Sequence, residues 1–145
     1  MKKLLLPLIA VLLLATGCRK EEIIVQEFNG SKLSTVYYDV AYGQWQRDML
    51  PEYLYFDASV PELDESSLVG GFTLVYYVDQ NNYDNPLPKI YSFNDVYGNP
   101  HEFVVRYDIS EGKVGFILES RDGDYGALLA AIPDKMAFKV CVMHQ

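Results

Sequence analysis

Residues that bind metals or act as nucleophiles are scarce in this chain, which has only two histidines and two cysteines among 145 residues. Two histidines, His101 and His144, are too few for a typical zinc site. There is no G-x-S-x-G elbow, and no cysteine is paired with a histidine in the setting that a catalytic thiolate needs. Acidic residues are numerous, but no motif selects two of them as paired carboxylates. The sequence therefore predicts no catalytic residues, no metal and no cofactor, and we expect a protein that is not an enzyme.

Basic residues are also few, because 12 lysines and arginines stand against 20 aspartates and glutamates, for a formal charge of −8. A surface this acidic repels nucleic acid and anionic lipid. We therefore exclude nucleic acid as a partner and expect a domain that is exposed to solvent.

Long apolar runs are absent as well. The longest run, Leu4–Leu14, has about half of the roughly 20 residues that a membrane-spanning helix needs. It follows two lysines and precedes three small residues that end at Gly17, directly before Cys18. This order is typical of a secretory signal that is removed on maturation. We predict a signal peptide over residues 1–17, with cleavage between Gly17 and Cys18.

A cysteine directly after small residues resembles the lipobox of bacterial lipoproteins, in which the cysteine is acylated and the chain is cut just before it. The usual leucine three residues before the cysteine is Ala15 here, with Leu14 one step earlier. The resemblance implies that acyl chains on Cys18 attach the protein to a membrane. Each buried methylene group contributes about 0.8 kcal/mol, and a single chain holds only marginally. The alternative is an ordinary cleaved signal with an incidental cysteine.

The residues after Cys18 bear on which face of the membrane the protein occupies. Lys20, Glu21 and Glu22 resemble the export signal that sends Bacteroidetes lipoproteins to the outer face of the outer membrane. A solvated charged tether would have the same composition. We expect an outer membrane lipoprotein exposed at the cell surface, with the periplasmic face as the alternative. We also expect a charged tether over residues 18–32, in which Ile23–Val25 could add a first short strand.

From residue 33 onward the pattern is that of β-strands. Ser34–Tyr42 and Glu52–Val60 alternate apolar and polar side chains with a period of two, as half-buried strands do. Turn signals recur every 10 to 15 residues, and only residues 127–132 favour a helix, a short one. We predict one all-β domain over residues 33–145, an antiparallel β-sandwich that is Ig-like or jelly-roll-like, with about seven or eight strands and at most one short helix.

The 12 tyrosines are the one compositional excess. Most lie in predicted strands, where tyrosine is a favoured structural residue. Tyr83, Tyr97 and Tyr125 instead lie within two residues of Asp or Asn in predicted turns, where no core requires them. We predict these three as a possible ligand surface, since tyrosine combines an apolar ring with a polar tip.

The order of features resembles a domain of small Bacteroidetes cell-surface lipoproteins, often found at the C-terminal end of collagen-like repeats. The similarity covers about residues 33–143 and rests on these segments, in order: Trp45, YLYFDASVPEL, GGFTLVYY, PLP, YSF and AFKVCVM. No collagen-like repeat lies between Cys18 and the domain here. The resemblance implies a cell-surface location and an all-β fold, and it implies no reaction.

Two functions follow as hypotheses. The first is a non-enzymatic, lipid-anchored interaction module whose partner is an unknown envelope or host protein. The alternative is a glycan-binding module that uses the exposed tyrosines, and a fimbrial subunit or a small hydrolase comes after it. Calcium binding by loop acids such as Asp79, Asp84 and Asp95 stays open, whereas Asp122-Gly123-Asp124 favours a plain turn because a calcium loop would need an acid where Pro133 stands.

Overall fold

The computed structural model describes residues 19–28, 30–49 and 52–144 of the chain. Within these ranges the protein is built mostly of β-strands. The strands are β1 Arg19–Phe28, β2 Ser31–Ala41, β3 Gln46–Met49, β4 Glu52–Ser59, β5 Phe72–Val78, β6 Asp84–Pro86, β7 Lys89–Asn94, β8 Pro100–Ser110, β9 Lys113–Ser120 and β10 Lys135–His144. A 3-10 turn at Tyr42–Gln44 and two short helices, α1 Glu65–Val69 and α2 Tyr125–Ala131, complete the described structure. No helix in these ranges has the length and apolar character needed to cross a membrane.

The ten strands form two five-stranded sheets. Sheet A has the order β1-β2-β10-β5-β6, sheet B has the order β3-β4-β9-β8-β7, and every pairing is antiparallel. The predicted all-β antiparallel sandwich is therefore confirmed. The predicted count of seven or eight strands was low, because β1 and the short edge strands β3 and β6 add to the segments that alternate clearly.

Strand β1 occupies residues that we expected to be a tether. It pairs with β2 at both of its ends, with Arg19 opposite Tyr38 and Val25 opposite Ser34, and an irregularity between Lys20 and Ile24 shifts the register. The sheet therefore begins before the expected domain boundary at residue 33. The signal peptide, Gly17 and Cys18 lie outside the described residues.

The core lies between the two sheets and is filled by alternate side chains of the strands. Phe116 of β9 stacks on Phe138 of β10 across the sandwich, with ring centroids 4.1 Å apart and planes 10° from parallel. Both rings are fully buried, and burial of a side chain of this size contributes about 1.5–3 kcal/mol. Trp45 packs edge-on against Phe138 at 6.1 Å and so lies against the core.

Helix α2 joins the two sheets at one end of the sandwich. It begins where Asp124 caps it by accepting a hydrogen bond from the backbone N–H of Ala127 at 2.9 Å. It leads from the last residues of β9 in sheet B to the first residues of β10 in sheet A. The loops at residues 79–83, 95–99 and 121–134 meet at this end, which we call the α2 end.

Candidate functional site

The turn between β7 and β8 presents two apolar side chains at the α2 end. Val96 and Tyr97 are 92% and 86% exposed. The Asp95 carboxylate holds the turn, because it accepts hydrogen bonds from the backbone N–H groups of Tyr97 and Asn99 and from the Asn99 side-chain amide, all at 2.8 Å. These bonds, led by that from the Asn99 side chain, lower the pKa of Asp95 to about 2. The exposed pair therefore stands on an ordered turn.

His101 connects this turn to the loop that precedes α2. Its Nδ1 lies 2.7 Å from a carboxylate oxygen of Asp122, and its Nε2 lies 3.4 Å from one of Asp95. Phe93 stacks on the imidazole ring at 5.4 Å. The bond to Asp122, and after it the bond to Asp95, raises the pKa of His101 above its ordinary value. A protonated imidazole in this place donates to both carboxylates at once and joins the two loops.

Asp122 organises the loop on the other side of His101. Its carboxylate accepts hydrogen bonds from the Asp124 backbone N–H at 3.0 Å and from the Ser120 hydroxyl at 2.7 Å. These bonds, together with His101, hold the pKa of Asp122 well below its usual range. The segment 122–124 is thus a turn, with Gly123 at a positive φ of 80°. Within residues 19–28, 30–49 and 52–144, no group of three or more His, Cys, Asp or Glu side chains is arranged to hold a metal ion.

A cleft of about 330 Å³ lies between the β7–β8 turn and α2. Phe93, Val96 and Tyr97 line one side. The other side is the helix, which presents only small residues, Gly126, Ala127, Ala130 and Ala131. A protruding aromatic side chain beside a shallow recess is a surface on which a partner can bury area on both sides of the ring.

The three tyrosines predicted as a ligand surface differ in their exposure to solvent. Tyr97 is exposed as expected, and Tyr83 is 69% exposed in the neighbouring turn at residues 79–83. In that turn the Asp79 carboxylate accepts from the backbone N–H groups of Asn81 and Tyr83, at 2.9 and 3.0 Å. The two exposed tyrosines thus stand on turns of similar construction.

Tyr125 was wrongly assigned to this surface. It is only 7% exposed, because it is the first residue of α2 and its ring packs into the core. The guanidinium of Arg47 lies 5.8 Å from the ring centroid on the outer side. Two exposed tyrosines, not three, therefore remain at the α2 end from the predicted set.

A second concave site, which the sequence did not indicate, lies on the outer face of sheet B. Its volume is about 400 Å³. The strand register places Gly115 of β9 between Asp57 of β4 and Asp108 of β8, so that a residue without a side chain separates two carboxylates. Tyr53 and Tyr55 border the same hollow. We call this hollow the sheet B groove.

The polar groups of the sheet B groove are held by neighbours. Lys113 Nζ lies 3.3 Å from the Asp57 carboxylate, and an Arg106 guanidinium nitrogen lies 3.5 Å from that of Asp108. The Tyr53 hydroxyl donates to Asp48 at 3.3 Å. Partial burial, and then the nearby Asp48 charge, raises the pKa of Tyr53.

The remaining predicted residues lie elsewhere. Lys20, Glu21 and Glu22 are part of β1, and Gly17 and Cys18 are outside the described residues. Cys141 is 8% exposed on β10, with its sulfur 3.7 Å from the Thr35 hydroxyl. It therefore occupies a buried strand position, as a cysteine that serves as a small apolar residue commonly does.

Comparisons with known proteins add no relative. No protein-family model matches the chain, and no match was found among the curated proteins or among the solved structures.

Proposed function

We propose that this protein is a non-enzymatic, lipid-anchored envelope protein that binds a partner protein through the β7–β8 turn. The observation that carries the proposal is the exposure of Val96 and Tyr97 on a turn that the Asp95 carboxylate holds in place. Apolar and aromatic side chains are enriched in the buried centres of protein interfaces, and tyrosine is one of the residues that contribute most to binding.

Preorganisation supports the same proposal. Association costs free energy when loops and side chains must become ordered on binding. In this turn the backbone N–H groups of Tyr97 and Asn99 already donate to Asp95, and the His101 imidazole contacts the same carboxylate. The backbone of the turn would therefore lose little conformational entropy when a partner covers Val96 and Tyr97.

The proposed location rests on the sequence of the N-terminal segment. Acyl chains on Cys18 would attach the protein to the outer membrane, and Lys20, Glu21 and Glu22 favour display at the cell surface over the periplasmic face. Both the anchor and the partner belong to the proposal.

The glycan-binding alternative receives less support at the α2 end. Sugar recognition by the predicted tyrosines would use several exposed rings on one surface, and the burial of Tyr125 removes one of the three. The geometry at this end favours a protein partner, which needs only one or two well-placed anchors.

The test is site-specific photo-crosslinking in intact cells. A benzophenone amino acid replaces Tyr97 in one strain and Tyr83 in another, since both positions are exposed on turns held by an aspartate. We expect a discrete adduct with one partner protein from position 97 and none from position 83. Equal labelling from the two positions, or no adduct from position 97 in a strain that produces the folded protein, would contradict the proposal.

A further inference from the structure

We infer that the sheet B groove is a binding site for a neutral oligosaccharide, separate from the β7–β8 turn. The groove lies on the outer face of sheet B, and its lining combines aromatic, acidic, basic and hydroxyl groups. Its volume of about 400 Å³ falls within the range of about 300–1,000 Å³ that small-molecule sites occupy.

The shape of the groove comes from a single residue. Gly115 lies in the central strand of sheet B, where a β-branched or aromatic side chain would be ordinary. A glycine inside a strand marks a place where another molecule can approach the backbone closely. The φ angle of Gly115 is not in the left-handed region, and a Cβ built there would lie 3.4 Å from an Asp57 carboxylate oxygen. The backbone conformation therefore does not require glycine at position 115. The absence of a side chain there leaves the hollow between Asp57 and Asp108.

The polar groups on the two sides of Gly115 can form hydrogen bonds with hydroxyls on adjacent carbons of a sugar. On one side Lys113 Nζ donates to Asp57 at 3.3 Å. On the other an Arg106 guanidinium nitrogen lies 3.5 Å from Asp108, while the Arg106 Nε donates to Glu119 at 3.1 Å. Each pair sets an acceptor beside a donor, and each carboxylate keeps lone pairs that its partner does not use. One sugar hydroxyl can donate to the carboxylate while its neighbour accepts from the cation. The side chains of Asp57, Lys113 and Asp108 are 48%, 59% and 73% exposed, so a ligand can reach them.

Tyr55 supplies the apolar contact. The ring of Tyr53 is already faced by the Arg106 guanidinium at 6.0 Å, and it meets Tyr55 edge-on, with centroids 6.0 Å apart and planes at 63°. Tyr55 is therefore the ring that we assign to stacking against the C–H face of a sugar. Tyr53, whose hydroxyl donates to Asp48, holds that ring in place.

The balance of charge argues for a neutral ligand. The lining carboxylates of Asp57 and Asp108 each have a cation beside them. A basic peptide would have to compete with Lys113 and Arg106 for these groups, and an anionic glycan would meet the uncompensated charge of the acidic chain. A neutral sugar uses the donors and the acceptors together, without separating either pair.

The test is binding of the folded protein to an array of neutral oligosaccharides, followed by titration of any glycan that is retained. Three variants are compared. Gly115→Val fills the hollow with a residue that favours strands. Tyr55→Ala removes the stacking ring. Tyr76→Ala removes a tyrosine that stands under Lys139 on sheet A and serves as the matched control.

We expect wild type and Tyr76→Ala to bind the same neutral glycan. Tyr55→Ala should bind it about tenfold more weakly, the upper range for one aromatic contact, and Gly115→Val should not bind it. Circular dichroism and urea unfolding of each variant confirm that the fold is kept. Retention of no neutral glycan by the folded wild type, unchanged binding by Gly115→Val, or preferential binding of a polylysine peptide would overturn the inference.

Discussion

The imidazole Nδ1 of His101 lies 2.7 Å from the Asp122 carboxylate, and through this contact the β7–β8 turn is joined to the loop that leads into α2. The same ring reaches Asp95, the residue that holds the turn. One titratable side chain is therefore shared by two loops that meet at the proposed protein-binding surface. Because the charge of His101 affects both loops, we expect the order of the β7–β8 turn to depend on pH.

The first prediction concerns that pH dependence. The pKa of His101 is raised above its ordinary 6.5, so its contribution to stability is fully present below pH 6.5 and is lost as the pH rises through the folded-state pKa. The pKa values of Asp95 and Asp122 are lowered from 3.8, so their contribution is present above pH 3.8 and is lost as the pH falls through their folded-state values. We expect the turn to be best ordered between these limits, with faster amide exchange at Tyr97 and Asn99 at pH 8.5 than at pH 5.5, after correction for intrinsic rates.

Two variants separate His101 from the other titrating groups. In His101→Gln the corrected exchange at Tyr97 and Asn99 should no longer differ between pH 5.5 and pH 8.5. His144→Gln serves as the control, because His144 lies near Asp64 and away from this turn. An unchanged pH dependence in His101→Gln would show that another group controls the turn.

The second prediction contrasts two tyrosines that have the same local sequence character. Tyr125→Ala should lower the free energy of unfolding by about 3–5 kcal/mol, the usual cost of deleting a large buried aromatic side chain. Tyr97→Ala should change it by less than about 0.5 kcal/mol, because the ring is 86% exposed. Urea unfolding followed by circular dichroism measures both. Similar values for the two variants would mean that the burial of Tyr125 has been misassigned.

The third prediction concerns Gly71, between α1 and β5. A Cβ at this position would lie 1.9 Å from the backbone oxygen of Met143 and 2.9 Å from that of Ser67, so the last strand and the helix would have to move apart. We expect Gly71→Ala to destabilise the fold by about 1–3 kcal/mol, as overpacking usually does. Gly43→Ala is the control, since nothing lies within 4 Å of a Cβ there. Equal unfolding midpoints for the two variants would refute the close approach of β10 to Gly71.

The fourth prediction concerns the anchor. Cys18→Ala should release the protein from the membrane fraction, because the acyl chains proposed at that position would have no attachment point. Protease added to whole cells should digest the wild-type domain if it is displayed on the surface. Digestion only after lysis would place the domain on the periplasmic side, and membrane retention of Cys18→Ala would contradict acylation as the means of attachment.

The sheets could be predicted from the sequence where the period of two was strong. On β2 and β10 apolar side chains of one alternating face, such as Val36 and Phe138, are fully buried. On β5 apolar residues occupy both faces, a pattern typical of a strand covered on both sides, yet Phe72 and Leu74 are 48% and 45% exposed. Composition shows which residues tolerate burial, but it does not show whether another layer of the fold covers them.

The short edge strands could not be predicted from the sequence. Strands β3 and β6 have four and three residues, too few for a period to be recognised. Strand β1 begins with charged residues, and its place in the sheet comes from backbone pairing with β2. Almost any sequence can form backbone hydrogen bonds of this kind, so the side chains of β1 do not predict its pairing.

The candidate sites were predictable only where they are local. Tyr97 was found because Asp95 and Gly98 around it are turn residues. The contact of His101 with Asp122 spans 21 positions along the chain, and the groove around Gly115 depends on the register of three strands. Such arrangements are set by tertiary pairing, which a single sequence does not display.

The first residue of β1 has a consequence for where binding takes place. Arg19 lies opposite Tyr38, toward the end of the sandwich where β2 finishes and β10 begins, which is the α2 end. Cys18 directly precedes Arg19 in the sequence, so acyl chains on Cys18, as proposed, would place the bilayer at the α2 end, where the β7–β8 turn also lies. A partner would then meet the turn by lateral diffusion in or along the membrane, at the raised effective concentration that such confinement produces.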